Sequence, residues 1–432
     1  MSDAGERAHI LIVGASLAGL RGAEALRRNG FRGKLTIIGD EPHRPYDRPP
    51  LSKSVLTGTL NTDHLDLPNL FRLDAEWRLG KAAIGLDPNA REVTLDDGER
   101  LGFDKLLIAT GARARPWPYL EEARLAGIFT LRTRDDAQAL RSAFDRKPRR
   151  VLIVGAGFNG CEIASCCCDL GLPVTLVDPY PAPLAGVMGS ALGAILGAIM
   201  LEQNVEWRGG SMVTHLEGDG KGRVRRAELS DKTIIDTDLV VIATGALRNI
   251  EWLRDAKLQS SGLGVICDKF CRALHEDGTV AADIFAAGDV ARWPHPLYDD
   301  RIVSLEHWGN AVEQAGVCAH NMLAPPGNQH PYVYLPAFWS SQFGINIKSV
   351  GLADFADRLM FVQGSRKERR FVALFGREQR SIAAFSFNSA RWLPAYAQRI
   401  AERALFAPLQ GGSDQPDLIT MAPGFPSSLA GA

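Results

Sequence analysis

The sequence predicts an α/β protein: two nested strand–turn–helix–strand units followed by a C-terminal α+β domain. Three observations predict it. Residues 151–178, VLIVGAGFNGCEIASCCCDLGLPVTLVD, contain an apolar strand (Val151 to Val154), a glycine turn and a helix-compatible run ended by Gly171. A second strand, Pro173 to Val177, follows and is closed by Asp178. Residues 9–41, HILIVGASLAGLRGAEALRRNGFRGKLTIIGDE, repeat the pattern. Each copy is followed, further along, by an apolar strand ending in Ala-Thr-Gly, DKLLIATGARARP and DLVVIATGALRN.

The 151–178 copy carries specific chemistry. Gly155, Gly157 and Gly160 stand in G-x-G-x-x-G spacing, with Phe158 and Asn159 between the last two. The first glycine allows the tight turn, the second lets backbone approach a pyrophosphate, and the third lets the helix pack close to the sheet. The helix N-terminus offers free N–H groups and a positive dipole end to phosphates. Asp178 can accept hydrogen bonds from adenosine ribose hydroxyls and would repel a 2′-phosphate. No Arg or Lys lies between Pro179 and Leu184 to neutralise one, so NADH is favoured over NADPH.

In the 9–41 copy, Gly14, Ser16 and Gly19 occupy the glycine positions, with Ala15, Leu17 and Ala18 between them. Ile10 to Val13 and Leu35 to Ile38 are the strands, Leu20 to Arg28 the helix, and Asp40 and Glu41 supply the acid. Two such copies imply two dinucleotides, and the usual pairing is FAD first and NAD(P) second. The fold class is therefore α/β, with two nested Rossmann-like dinucleotide-binding domains (FAD and NADH) plus a C-terminal α+β domain. Residues 1–115 and 247–327 form the FAD-binding domain in two parts. Residues 116–246 form the NADH-binding domain, 328–410 the C-terminal domain, and 411–432 a flexible tail.

The remaining elements follow in chain order. Pro42, Pro45, Pro49 and Pro50 exclude a long regular element between Pro42 and Leu56. That stretch holds Arg48 and Lys53, and a lysine near a flavin could stabilise the anionic reduced ring. Asp97-Gly98 marks a hairpin turn. Thr110-Gly111 and Thr244-Gly245 end the third strand of each unit, where the chain crosses between domains. Arg132 precedes a polar helix. Gly189 to Gln203 reads as a Gly/Ala-rich helix, followed by a hairpin turning at GDGKGR. Val280 to Ala287 reads as a strand ending in Gly288-Asp289, with a helix to follow. Asp289 is placed to accept from ribityl hydroxyls or to cap that helix. Residues 304–323 form an amphipathic helix beginning with Glu306, His307 and Trp308. Pro325-Pro326-Gly327 is the clearest linker. Beyond it come alternating strands and a helix from Arg391 to Leu405.

Composition excludes several classes. The 432 residues carry a net charge of −1, which gives no global electrostatic case for nucleic acid or membrane binding. The N-terminus lacks a signal peptide's apolar core, and no uninterrupted apolar run of membrane length is expected, so the expected location is cytoplasmic. The seven cysteines include no C-x-x-C and no second pair to complete a zinc site, so no metal site is expected. They read as small buried apolar residues.

The motifs RPYDRPPLSK, both Ala-Thr-Gly strands, DIFAAGDVAR, EHWGNAVEQA and FWSSQFG resemble the NADH-dependent, FAD-containing ferredoxin reductases that serve cytochrome P450 and ring-hydroxylating dioxygenase systems. The resemblance spans roughly residues 8–405, with apoptosis-inducing factor a more distant relative. It implies that Gly14 to Gly19 and Asp40–Glu41 hold the FAD pyrophosphate and adenosine ribose. Arg48 and Lys53 lie near the FAD, with Lys53 at the reactive edge of the ring. Ala83 and Arg132 match further FAD contacts, and Asp289 the ribityl and pyrophosphate contact. His307 and Trp308 start the helix that points at the isoalloxazine, and Trp339 is the aromatic residue on the ferredoxin side. Gly157, Phe158, Asn159, Glu162, Asp178, Gly245 and Glu306 match NADH positions. Lys53 and Glu306 are the candidates at the reacting centre.

Ser16 and Asn159 depart from the family pattern. The implied activity is hydride transfer from NADH to FAD, then single-electron transfer to a [2Fe–2S] ferredoxin. A slow-turnover, NADH-responsive redox sensor of the apoptosis-inducing-factor type is the alternative. A disulfide reductase would need a cysteine pair beside the flavin. The cluster Arg366, Lys367, Arg369 and Arg370 reads as a solvated hairpin turn before it reads as a docking patch.

Overall fold

A computed structural model describes residues 8–325, 327–409 and 418–420, and these form two compact units. The first gathers the chain up to Asp47, 66–113 and 247–336; the second gathers 48–65, 114–246 and the chain from Ala337 onward.

The first unit is built on a six-stranded sheet in the order Arg272–Leu274, Val280–Ala286, Lys105–Ile108, His9–Val13, Lys34–Gly39, Glu76–Leu79. All pairings are parallel except that of the first two strands. The central strands, near-continuous in Ile, Leu and Val, are buried on both faces, as a parallel sheet requires. The helix Leu17–Arg28 covers one face and packs against Trp308–Leu323. Gly22 permits this approach, since a Cβ there would lie 2.7 Å from Leu107 and 3.8 Å from Ala315. The hairpin expected at Asp97-Gly98 joins Glu92–Leu95 to Arg100–Gly102.

One expectation fails in this unit. After Gly288-Asp289 there is no α-helix but a single 3-10 turn, Gly288–Val290, and then a strand, Ala291–His295. That strand pairs with Gly264–Ile266 and Arg301–Val303, so sheet pairing overrides a locally helix-compatible sequence.

The second unit has a five-stranded, wholly parallel sheet: Glu206–Gly209, Val174–Asp178, Val151–Val154, Leu239–Ile242, Ile128–Thr130. The antiparallel hairpin Val213–Gly218 and Val224–Leu229 turns at the expected glycines and gains a third strand, Ile234–Asp236. The Gly/Ala-rich helix runs from Ala185 to Glu202 and is interrupted at Gly189 (φ 79°, ψ 156°). By length and composition it is apolar enough to cross a membrane, with a mean hydropathy of 1.6, contrary to the expectation that no such run exists. Its Met188, Leu192, Leu196, Ile199 and Met200 are buried in the unit, and Gly193 and Gly197 seat it on Pro183.

Residues from Ala337 form a six-stranded antiparallel sheet covered by the helix Leu393–Ala401. Phe371 and Phe387 stack in its core with centroids 4.7 Å apart. Leu418–Thr420, expected within the flexible tail, is the sixth strand and pairs with Arg358–Met360. The rest of that tail and Pro326 of the linker lie outside the described residues. The Arg366–Arg370 cluster does sit at a turn between two strands, and Arg369 is engaged by Glu202 at 2.5 and 2.6 Å.

Three histidines of the first unit give it a pH dependence. Burial lowers the pKa of His9, His295 and His307 below the usual imidazole value. His295 shows the cause directly. Its Nδ1 accepts from Leu297 N–H (3.3 Å) and its Nε2 donates to the Tyr334 carbonyl (2.6 Å), so the ring is neutral and has no room for a second proton. A lowered folded pKa means that the unfolded chain binds more protons in acid. The stability these rings contribute is therefore present above about pH 6.5 and is lost as pH falls through their folded values. The melting temperature should drop between pH 7 and pH 5, and His295→Gln should flatten that drop.

Candidate functional site

Each unit presents a glycine cradle at the carboxyl end of its central strands. In the second unit, Gly155 has φ +105°, and a Cβ there would lie 2.4 Å from the Ala243 carbonyl. A Cβ on Gly160 would lie 1.9 Å from the Gly155 carbonyl oxygen, so any side chain would push the helix Phe158–Asp169 off the strand. Gly157 has open space where its Cβ would point, and its φ of −72° needs no glycine. The first and third positions therefore serve the fold, and the second leaves room for a ligand.

The first unit repeats this: a Cβ on Gly14 (φ +124°) would lie 2.0 Å from the Ala109 carbonyl oxygen, and one on Gly19 would lie 1.9 Å from the Gly14 carbonyl oxygen. Ser16 has an extended backbone that any residue can adopt, which explains why serine is tolerated there. Ala15 lies against Gly39, and Leu17 and Ala18 open the helix. Neither glycine helix has an acidic residue in its first turn, so both N-termini suit a phosphate.

Asp178 ends its strand, as expected. Its Oδ2 accepts from Ala156 N–H at 2.6 Å and its Oδ1 from Tyr180 N–H at 2.8 Å. The carboxylate thus ties the glycine turn to the second strand, and each oxygen retains acceptor capacity for a ribose hydroxyl. Asp40 is exposed, while Glu41 accepts from Tyr46 Oη at 2.5 Å.

The two Ala-Thr-Gly turns end their strands with Gly111 at φ +61° and Gly245 at φ +98°. Thr110 is pinned by Asn249: Thr110 Oγ1 donates to the Asn249 carbonyl (2.7 Å) and Asn249 Nδ2 donates back to the Thr110 carbonyl (2.9 Å). Thr244 is exposed beside Gly245, whose carbonyl accepts from Arg115 N–H. Ala83 opens an edge strand of a small antiparallel sheet in the first unit.

Within the second unit the structure brings together residues that the sequence had assigned to separate nucleotides. Lys53 Nζ lies 2.7 Å from Glu162 Oε2. Glu162 is 4% exposed and also accepts from Ser52 Oγ and, at 2.5 Å, from Ser340 Oγ. Arg48 donates to the Arg132 carbonyl at 2.7 Å, just ahead of the capping box of helix Arg134–Asp145. Phe158 packs edge-on against Phe338 with centroids 4.4 Å apart. Trp339 is 47% exposed, so it is not a core aromatic, and Asn159 is exposed.

In the first unit, Gly288 N–H donates to Gln314 Oε1 at 2.9 Å, and Asn310 and Tyr332 extend that buried polar chain. Asp289 follows Gly288 and is half-buried. His307 stands at the N-cap position of the helix Trp308–Leu323 without a side-chain capping bond, Trp308 Nε1 donates to Asp47 at 3.0 Å, and Glu306 pairs with Arg248 at 2.9 Å. Ser52, Arg248, Asn249, Gln314 and Ser340 were not legible from the sequence. Only the position of Arg248 and Asn249, directly after the second Ala-Thr-Gly, offered a signal.

The cysteines are free, and all but Cys168 are buried. The spacing Cys161-x-x-x-x-Cys166 does occur after the second glycine motif, where no such pair was expected. Both residues lie on one helix, where five positions separate side chains by about 140° around the axis, so they point apart. Burial pushes the Cys166 thiol up to about 12 and Cys161 and Cys167 well above the usual thiol value. None is a thiolate ready for disulfide exchange. Among the described residues no cluster of His, Cys, Asp or Glu could hold a metal ion.

Two glycine cradles, each closed by its own Ala-Thr-Gly turn, define a two-dinucleotide oxidoreductase. The chain belongs to the pyridine nucleotide-disulphide oxidoreductase family, whose pattern matches residues 8–315, and it carries a reductase C-terminal domain over 337–421. It is 34% identical over 390 residues (88% of this chain, 93% of the relative) to the 3-phenylpropionate/cinnamic acid dioxygenase ferredoxin–NAD(+) reductase component of Photorhabdus laumondii. It is 32% identical over 426 residues (96% and 99%) to the biphenyl dioxygenase system ferredoxin–NAD(+) reductase component of Paraburkholderia xenovorans. Its fold matches putidaredoxin reductase, solved as a covalent complex with putidaredoxin, with a TM-score of 0.84 at 29% identity over 92% of this chain and 93% of that one.

Proposed function

We propose that this chain is an NADH-dependent ferredoxin reductase: a flavoprotein that takes reducing equivalents from NADH and passes them singly to a [2Fe–2S] ferredoxin serving a cytochrome P450 or ring-hydroxylating oxygenase, in the cytoplasm. The observation that carries this reading is the pair of glycine cradles in a chain whose cysteines offer no dithiol relay. Without such a relay, electrons leave from the flavin directly. The names of the relatives supply the acceptor class.

The chemistry FAD supplies when bound is the conversion of one hydride into two single electrons. The chain's own residues orient and stabilise. Ser16 lies where the FAD pyrophosphate approaches, Gly14 and Gly19 hold the turn that presents it, and Asp40 and Glu41 accept from its ribose. Arg48, Ala83, Thr110, Gly111, Arg132, Gly288, Asp289, His307, Trp308 and Trp339 are the further candidates for FAD contacts. Gly155, Gly157, Phe158, Asn159, Gly160, Asp178, Thr244 and Gly245 hold the NADH, and Glu306 is a further candidate for it. Lys53 places a cation where negative charge develops, and Glu162, gripped by Ser52 and Ser340, aims it. Positioning supplies most of the acceleration. The domain boundaries that go with this reading are 1–115 and 247–327 for FAD, 116–246 for NADH and 328–410 for the C-terminal domain.

The test is the visible spectrum of the purified protein, followed by NADH and NADPH oxidation with [2Fe–2S] ferredoxins. A yellow protein that reduces ferredoxin with NADH is expected. A colourless protein that binds no FAD overturns the reading. NADH oxidation with negligible ferredoxin reduction would favour the redox sensor.

A further inference from the structure

Gln314 stands in the middle of the helix Trp308–Leu323 and is fully buried in the first unit. A buried amide is tolerated only where its oxygen and nitrogen find partners. Its Oε1 accepts from Gly288 N–H at 2.9 Å and from Asn310 Nδ2 at 3.5 Å, and its Nε2 donates to Cys271 Sγ at 3.8 Å. Asn310 Oδ1 accepts in turn from Tyr332 Oη at 2.9 Å, which holds both amides in one orientation. One turn further along the helix, Cys318 Sγ donates to the Ala286 carbonyl at 3.4 Å. One helix face therefore grips the end of the strand Val280–Ala286 and the turn that follows it.

That turn lies against the first glycine cradle. Ala287 N–H donates to the Ile108 carbonyl at 3.0 Å and closes the sheet pairing. Gly288 then leaves the sheet at φ +78°, with a buried N–H that needs the Gln314 acceptor. A Cβ at Gly288 would lie 3.2 Å from Ala18 Cβ and 3.7 Å from Ala311 Cβ. The turn is thus wedged between the first glycine helix and the helix that carries Gln314. Asp289, half-buried, is the next residue.

We propose that Gln314 is a positioning residue for FAD. By accepting the Gly288 N–H it fixes the turn that presents Asp289 beside the Ser16–Gly19 cradle, so that one site in the first unit receives the pyrophosphate and the ribityl chain together. This rests on the reading that the first cradle and Asp289 hold FAD. Without its acceptor, the Gly288 N–H reaches another partner only by rotation of the planar Ala287–Gly288 peptide. That rotation carries Asp289 off the position from which it accepts ribityl hydroxyls. Gln314 acts through this peptide, and its effect is on how firmly FAD is held.

The test measures how fast the holoenzyme, saturated with FAD, desalted and diluted, releases the cofactor, read as the rise of FAD fluorescence. Gln314→Leu should release FAD about tenfold faster than wild type, the scale of one buried donor left without an acceptor. Asp289→Ala should also release it faster. Gln314→Leu added to Asp289→Ala should then change the rate by less than about twofold, because the two residues act through one contact. A wild-type rate in Gln314→Leu overturns the proposal. So does an equal effect of Gln314→Leu in both backgrounds, which is what loosened packing alone would give. If Gln314→Leu does not fold, Gln314→Asn, whose shorter side chain draws the acceptor off Gly288, goes through the same cycle with the same outcomes. A wild-type rate in Asp289→Ala would show that Asp289 does not hold FAD, which is a failure of the underlying reading.

Discussion

Lys53→Met should slow NADH-to-ferricyanide turnover by about two orders of magnitude, the typical effect of removing one preorganised donor from a developing charge. The same change should destabilise the fold. Glu162 is buried and holds three partners: the Lys53 ammonium and the hydroxyls of Ser52 and Ser340. Removing the ammonium leaves a buried carboxylate with two neutral donors, and breaking a buried pair from one side costs about 3–5 kcal/mol. Thermal melts of wild type and variant check this. Lys53→Met combined with Glu162→Gln should recover most of the stability and none of the rate. Recovery of both would mean that Lys53 serves only to compensate Glu162.

Asp178→Ser combined with Pro179→Arg should raise the kcat/KM ratio of NADPH over NADH by about two orders of magnitude. The change removes a carboxylate that repels a 2′-phosphate and adds a cation that can pair with it, and each charge-assisted contact contributes about 1.5–3 kcal/mol. The structure sharpens the expectation. Because Asp178 also accepts from Ala156 N–H and Tyr180 N–H, its loss should loosen the glycine turn and weaken binding of both nucleotides. Asp178→Asn should therefore lose NADH affinity without gaining NADPH. Steady-state kinetics with both donors decide, and an unchanged ratio in the double variant would mean that the ribose lies elsewhere.

How much was legible in advance depended on how local the signal was. The glycine turns were readable because their spacing encodes steric demands a few residues apart, such as Gly160 against the Gly155 carbonyl. The departure at Ser16 looked like a weakness and is harmless, because that position needs space and not a positive φ. The helix expected after Asp289 failed for a non-local reason: Ala291–His295 is drawn into a sheet by strands from either side of it in sequence. The C-x-x-x-x-C spacing shows the converse, since a pattern visible in sequence loses its chemical meaning once helical geometry points the two thiols apart.

By itself the sequence determined the nested α/β plan, the two nucleotide cradles, the preference for NADH and the third domain, all of which follow from periodicity, turn chemistry and motif spacing within about thirty residues. Only the tertiary structure decided which charges compensate one another. Lys53 meets Glu162 across 109 positions, Ser340 reaches the same carboxylate across 178, and Arg248 meets Glu306 across 58. A buried charge selects its partner by proximity in the folded chain, where low dielectric makes the pairing strong, and separation along the sequence carries no record of it.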